Sequence, residues 1–328
     1  MPARVSQVGY RPTLTPPRAD ASPGGIPRGA VEIRSTALEE PHIVSLEKRA
    51  YRIVALDLDG TLLNRAGEVS PDDAVALRRM RELGALVVLA SGRMCASIRP
   101  WYHRLGVDGP VLAYNGGMVR DSEACGETVL FEKALPARYG DWLIDYADEH
   151  HFHLNYYVED TLYAKDDPEL RRFADLYAKQ TGSIYHFVPS LQQFTGREPT
   201  KIILITDPSL PGRFDPRRRD ELYDEFNARW DGEVSLFKTN PEYLEFLNRE
   251  TDKGVALAAL ARAYGIAREE VIAFGDGDND APMLAWAGLG VGVANVLPTA
   301  RDAADFVSPY SNDESAVART LEEAAAGY

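Results

Sequence analysis

Four times along this chain a short apolar run ends abruptly in a polar, glycine-containing turn. Ile53-Val54-Ala55-Leu56 runs into Asp57-Leu58-Asp59-Gly60-Thr61, and Ala85–Ala90 runs into Ser91-Gly92-Arg93. Val111–Tyr114 ends at Asn115-Gly116-Gly117, and Val271–Phe274 at Gly275-Asp276-Gly277-Asp278-Asn279-Asp280. Uninterrupted apolar runs of this length fit strands buried on both faces, as in a parallel sheet covered by helices. Between the first two runs, Ser70-Pro71-Asp72-Asp73 reads as a helix start: an N-cap serine, proline at the first helical position and acids in the first turn. Leu77, Met80 and Leu83 supply the apolar stripe, and Gly84 stops the helix. Strand, turn, helix and strand repeated at this spacing predict right-handed crossovers, and so an α/β fold with a Rossmann-like parallel-sheet core.

The middle third breaks that rhythm. Trp142–His150, Pro168–Thr181 and Pro216–Trp230 read as helices, while His153–Val158, Thr161–Ala164, Lys201–Thr206 and Glu233–Lys238 read as strands with more alternation and more tyrosine. The first pattern resumes at Thr251-Asp252-Lys253-Gly254, with a helix over Val255–Tyr264, short strands at Leu289–Val293 and Phe306–Val307, and a closing helix over Glu314–Ala326. The expected organisation is therefore a core from residues 51–117 and 244–328, with an inserted α+β cap from 118–243. The first fifty residues, punctuated by Pro16-Pro17 and Ser22-Pro23-Gly24-Gly25, have no sustained apolar periodicity and are expected to form a flexible leader outside the fold.

Charge and cysteine usage narrow the partners. Lys and Arg number 36 against 50 Asp and Glu, a net charge of −14, so the mean surface field repels phosphate backbones and anionic lipid heads and disfavours nucleic acid as a partner. Cys95 and Cys125 are too few for a disulfide framework and suit a reducing compartment, so a cytoplasmic protein is expected. The apolar runs fall far short of the roughly 20 residues that a membrane helix needs.

In an open parallel sheet, ligands bind beyond the carboxyl ends of the strands, so the polar tips should converge. Asp57 and Asp59, two residues apart, can point to the same side, where one can attack a substrate while the other handles protons. A turn acid followed by a helix-capping acid is the alternative. Asp276, Asp278 and Asp280 repel one another unless a cation, solvent or a helix N-terminus compensates them, and Mg²⁺ commonly takes one or two carboxylates along with waters and a phosphate. A calcium loop fails, because Ala281 and Ala287 stand where its glycine and glutamate belong. A dinucleotide fingerprint at Gly288-Leu289-Gly290-Val291-Gly292 fails too, with Val293 at its last glycine.

The order Asp57-Leu58-Asp59-Gly60-Thr61, Ser91, Lys253-Gly254 and Gly275–Asp280 resembles the haloacid dehalogenase-like (HAD) superfamily. The fuller strings Ser91-Gly92-Arg93, Asn115-Gly116, Asp252-Lys253-Gly254 and Asn279-Asp280-Ala281-Pro282-Met283-Leu284 resemble its Cof-type phosphatases, whose large α/β cap lies between the second and third motifs. The resemblance implies Mg²⁺-dependent hydrolysis of small phosphate monoesters, sugar phosphates or phosphorylated cofactors, through an aspartyl-phosphate. It makes Asp57 the nucleophile and Asp59 the general acid and later base. Ser91 would bond the phosphoryl group, with Lys253 as a positive clamp beside that group and the nucleophile. Mg²⁺ would sit among Asp57, the main-chain carbonyl of Asp59 and Asp276, with Asp280 orienting Lys253 or a metal-bound water. Asn115, Gly116 and Asn279 would lie on the phosphate side. A phosphotransferase or phosphomutase could use the same intermediate, and a non-catalytic regulator could bind a phosphometabolite. The expected partner is a small phosphorylated metabolite, and the expected state a monomer or homodimer. His150, His151 and His153 read as surface histidines, Arg217-Arg218-Arg219 as a solvated face, and Tyr156, Tyr157 and Tyr163 either line the cap's substrate side or pack its sheet on helices.

Overall fold

A computed structural model describes residues 48–206, 217–239 and 242–328. The first half of the core runs β1 (Ile53–Asp57), α1 (Pro71–Glu82), β2 (Leu86–Ala90), α2 (Cys95–Leu105), β3 (Val111–Ala113), β4 (Met118–Arg120) and β5 (Val129–Glu132). The cap follows as α3 (Ala137–His150), β6 (His153–Val158), β7 (Thr161–Lys165), α4 (Arg171–Thr181), β8 (Tyr185–Val188), β9 (Lys201–Ile205), α5 (Arg217–Trp230), β10 (Val234–Lys238) and β11 (Tyr243–Asn248). The core then closes with α6 (Lys253–Ala263), β12 (Val271–Gly275), α7 (Ala281–Trp286), β13 (Leu289–Gly292), α8 (Pro298–Ala303), β14 (Phe306–Val307) and α9 (Ala316–Ala324).

Eight strands form the core sheet in the order β14-β13-β12-β1-β2-β3-β4-β5. The six from β14 to β3 run parallel, and β4 and β5 return antiparallel. Alternate side chains of β1 serve opposite layers, as the period of two demands. Val54 and Leu56 pack with Leu77, Ile98 and Val317 of α1, α2 and α9, whereas Ile53 and Ala55 pack with Leu257, Met283 and Ala300 of α6, α7 and α8. α1 begins as its sequence predicts: Ser70 accepts a bond from the main-chain N–H of Asp73 at 3.0 Å.

The cap is a six-stranded sheet, β10-β11-β9-β6-β7-β8, antiparallel except for β7 with β8. On its outer face Leu154, Tyr156, Ile202 and Leu204 pack against Leu143 of α3 and Phe226 of α5. On the other face Tyr157, Ile203 and Ile205 join Tyr177 of α4 and the core. The β6–β7 turn docks there: Asp160 accepts from Tyr114 Oη at 2.6 Å and from the main-chain N–H of Cys95 at 3.1 Å.

Several expectations are corrected. The boundaries at 117/118 and 243/244 each strand an element on the wrong side: β4 and β5 extend the core sheet, and β11 pairs with β9 and β10 in the cap. The turn at Asn115-Gly116-Gly117 is real, but the chain folds straight back onto β3, and strands of three and four residues carry little pattern. The crossings into and out of the cap lie instead at 133–136 and 249–252. The leader expected over 1–50 lies outside the described residues except for its end, where Arg49 pairs with main-chain groups of Ala324 and Ala326. The closing helix starts at Ala316, after a turn at Asn312–Glu314. His153 is not on the surface: it is buried, its Nε2 bonded to Asn155 Oδ1 at 2.9 Å.

Candidate active site

The tips of β1, β2, β3 and β12 stand side by side. Asp57 ends β1 opposite Ala90, the residue before Ser91, and Leu56 pairs with Phe274 just before the second acid cluster. Asp57 and Asp276 thus rise from neighbouring strands, and oxygens of Asp57, Asp276 and Asp280 all lie within 4.8 Å of one another. Gly60 makes that approach possible. Its φ of +90° suits glycine, and a Cβ there would sit 2.4 Å from Asp276 Oδ2.

Lys253, the first residue of α6, is wholly buried beneath the carboxylates. Its Nζ lies 2.5 Å from Asp57 Oδ1 and 2.6 Å from Asp280 Oδ1. The other oxygen of Asp280 accepts from the main-chain N–H groups of Asp276 (3.0 Å) and Gly277 (2.9 Å). Asp280 is therefore committed to holding Lys253 and the turn. Asp276 accepts from Thr61 Oγ1 at 2.7 Å. Asp59 is half exposed and gripped by Arg93, Nε to Oδ2 at 2.9 Å and Nη2 to Oδ1 at 2.5 Å. Ser91 lines the same cleft, its Oγ accepting from the Arg93 main-chain N–H at 3.2 Å, and Asn279 Nδ2 donates to Asn115 Oδ1 at 3.0 Å.

One predicted site residue stands elsewhere. Gly116 does not line the cleft: at φ +99° it packs on the start of α6, where a Cβ would meet the Asp252 carbonyl oxygen at 2.1 Å. Lys253 lies against Asp57 and Asp280 and, wholly buried, has no surface of its own toward the cleft. None of Tyr156, Tyr157 and Tyr163 lines the cleft; they pack the cap sheet. Four contributors were missed: Thr61, two residues after Asp59, Arg93, two residues after Ser91, and Lys201 and Glu245 of the cap. The last two carried a readable signal, Glu245 as a charge inside an apolar strand and Lys201 as a charge opening one.

The electrostatics call for a cation. Burial, then the Asp280 charge, hold the Asp57 carboxyl well above the usual range, with Lys253 pulling the other way. Burial likewise pushes Asp276 up to about 6, opposed by the Thr61 hydrogen bond. Burial pulls Lys253 down, but Asp280 and Asp57 more than reverse it, so the ammonium stays charged. Three carboxylates against one ammonium leave excess negative charge, and the donors are hard oxygens, so the cluster fits a divalent cation.

Above this cluster the cap closes a cleft of about 510 Å³, lined from below by Asp57, Asp59, Ser91 and Asp276 and from above by Lys201 and Glu245. Among the described residues no helix is long and apolar enough to cross a membrane.

Fold and site define a capped α/β hydrolase with an acid-lined cleft whose carboxylates have the donors to hold a cation. The profile of the haloacid dehalogenase-like hydrolases matches residues 54–321, and the chain belongs to that family, in its Cof-type phosphatase branch. It is 30% identical over 264 residues to the pyridoxal phosphate phosphatase YbhA of Escherichia coli (strain K12), covering 78% of this chain and 92% of that one. It is 26% identical over 290 residues to the 5-amino-6-(5-phospho-D-ribitylamino)uracil phosphatase YwtE of Bacillus subtilis (strain 168), covering 84% and 99%. The crystal structure of TM0651 from Thermotoga maritima superposes with a TM-score of 0.73 at 33% identity, covering 84% of this chain and 98% of that one.

Proposed function

We propose that the protein hydrolyses small phosphate monoesters through a phosphorylated Asp57. The observation that carries this reading is the placement of Asp57: at a strand tip, one oxygen fixed by a buried lysine, beside an acid from the next strand and facing the cleft under the cap. Relatives named as phosphatases of small phosphorylated compounds support it.

An Asp57 oxygen attacks phosphorus as the bond to the leaving oxygen breaks, giving an aspartyl-phosphate. Asp59 gives its proton to the leaving alkoxide, then takes one from the water that attacks phosphorus and releases inorganic phosphate. Ser91 bonds the phosphoryl oxygens, joined by Asn115 and Asn279 on the same side. Lys253 keeps Asp57 in one rotamer and offsets its charge, and Asp280 keeps Lys253 in place. Arg93 holds Asp59 at the cleft; a phosphoryl dianion offers the same forked geometry as a carboxylate and can draw the guanidinium away, freeing Asp59. Asp57, Asp276 and the main-chain carbonyl of Asp59 would hold Mg²⁺, which supplies charge neutralisation between the nucleophile and an anionic substrate. The cleft volume suits a metabolite, not a polymer.

The test is release of inorganic phosphate from phenyl phosphate with Mg²⁺, with chelator, and without any added acceptor alcohol. Release only with Mg²⁺ and without an acceptor is expected. Equal rates in chelator remove the metal from the mechanism, and a strict need for an acceptor makes the protein a phosphotransferase.

A further inference from the structure

Strand β9 opens on a charge, Lys201-Ile202-Ile203-Leu204-Ile205, and that lysine is buried where the cap meets the core. Its Nζ donates to Glu245 Oε2 of β11 at 3.2 Å and to the main-chain carbonyl of Gly92 at 3.0 Å. It also lies 5.2 Å from the ring centre of Tyr157 in the cap and 5.8 Å from that of Tyr114, just after β3 in the core. Burial pulls the ammonium down, but Glu245 and Tyr177 more than reverse it, so the group stays charged. A buried pair such as Lys201–Glu245 is weakly stabilising at best, because desolvation consumes most of the attraction. Two apolar residues would hold the cap sheet at least as well. What they would not supply is the bond to Gly92.

Gly92 lies in the loop that leaves β2, between Ser91 and Arg93. Its carbonyl and the Arg93 N–H are the two ends of one planar trans peptide and point in opposite directions. Lys201 holds the carbonyl end, and Ser91 Oγ accepts from the N–H end at 3.2 Å. A serine hydroxyl has a single proton to donate. Ser91 Oγ takes the Arg93 N–H as acceptor and no described residue accepts its proton, so that proton is left for a ligand in the cleft that Ser91 lines. Turned over, the same peptide would aim the Gly92 carbonyl at Ser91 Oγ, and the proton would go there instead. Gly92 has no side chain to resist that turn, so the hold comes from outside the loop.

The cap grips the same segment at a second point. Asp160, in the β6–β7 turn, accepts from the main-chain N–H of Cys95, the first residue of α2, at 3.1 Å. It also accepts from the hydroxyl of Tyr114, the residue before Asn115, at 2.6 Å. Residues 92–95 therefore take their shape from two cap elements as well as from β2.

Resting on the phosphatase reading above, we propose that Lys201 is a positioning residue for phosphoryl transfer, whose ammonium fixes the Gly92–Arg93 peptide so that Ser91 Oγ donates to the phosphoryl group. Through this bond the cap acts on the half of the substrate that every phosphate monoester shares. Seating of the cap and aiming of Ser91 become one event.

The experiment is a double-mutant cycle of Lys201→Met and Ser91→Ala. It is read as kcat/KM of the Mg²⁺-loaded protein on phenyl phosphate, and as the Ki of inorganic phosphate, which has no leaving group. Ser91→Ala should lower kcat/KM about a hundredfold and Lys201→Met about tenfold, with Ki rising in both. In the Ser91→Ala background Lys201→Met should lower kcat/KM less than about twofold, because the hydroxyl it aims is gone. A lysine that only holds the cap together gives losses that multiply, about tenfold in either background. Multiplying losses, an unchanged rate in Lys201→Met, or a wild-type Ki beside a reduced kcat/KM overturns the proposal and leaves the phosphatase reading intact. If Lys201→Met does not fold, Lys201→Met combined with Glu245→Leu removes the pair without stranding a carboxylate and enters the same cycle in its place. No phosphate release from phenyl phosphate by the unaltered protein overturns both readings.

Discussion

Lys253 Nζ sits 2.5 Å from Asp57 Oδ1 although 196 positions separate the two residues and the entire cap intervenes. The contact ties the first strand of the core to the first helix after the inserted domain, through a lysine wholly out of solvent. It also sets the balance of the site, one buried ammonium serving two carboxylates.

Because burial and Asp280 both disfavour the charge on Asp57, removing it relieves repulsion. Asp57→Asn in metal-free buffer should melt no lower than the wild type, while phosphatase turnover falls by at least about a thousandfold. Differential scanning calorimetry and a phosphate-release assay check the two halves.

Lys253→Met should have the opposite profile. It leaves Asp57 and Asp280 facing each other without a cation, and breaking a buried pair in this way costs about 3–5 kcal/mol. Urea unfolding at pH 7 measures it; a loss under about 1 kcal/mol would show that the lysine is not the charge partner the geometry makes it.

Magnesium should raise the melting temperature of the wild type, since a cation that binds only the folded state stabilises it by mass action. The rise should vanish in Asp276→Asn and shrink sharply in Gly60→Ala, whose Cβ would meet Asp276 Oδ2 at 2.4 Å and push that carboxylate aside. A full magnesium shift in Gly60→Ala would place the ion elsewhere.

Burial pulls His153 from 6.5 down to about 4, against the hydrogen bond to Asn155. The unfolded chain takes up a proton below 6.5, whereas the folded one resists until about 4. The stability contributed by the neutral ring is therefore full above pH 6.5 and is lost as the pH falls toward 4, by about 3 kcal/mol over the window. Wild type should lose about 2 kcal/mol more than His153→Gln between pH 7 and pH 4.5 in urea titrations. Equal losses would mean that the ring is already protonated or solvated.

The parallel half of the core was legible because strands buried on both faces cannot alternate, and Ile53–Leu56, Ala85–Ala90 and Val271–Phe274 advertise themselves as unbroken apolar runs. Asp57 and Asp276 were legible for the same reason, since each follows such a run. β4 and β5 were not: they are short, and β5 is largely exposed, so pairing with β3 rather than any pattern of their own defines them. Arg93 lies 34 positions from Asp59 and Glu245 lies 44 from Lys201, and only the folded loops and the cap sheet show that these charges meet. His153 failed because its neighbours His150 and His151 are exposed helix-end residues, whereas the strand that follows turns His153 inward.

On the proposed mechanism Asp57 carries the phosphoryl group between the two half-reactions. Acid quench of the Mg²⁺-loaded protein during turnover, borohydride reduction and peptide mass analysis tests it most directly, because an aspartyl-phosphate is reduced to homoserine. Homoserine at position 57, absent when substrate is omitted, is the predicted result. An unmodified Asp57 under conditions of demonstrated turnover, or homoserine at another aspartate, would contradict it.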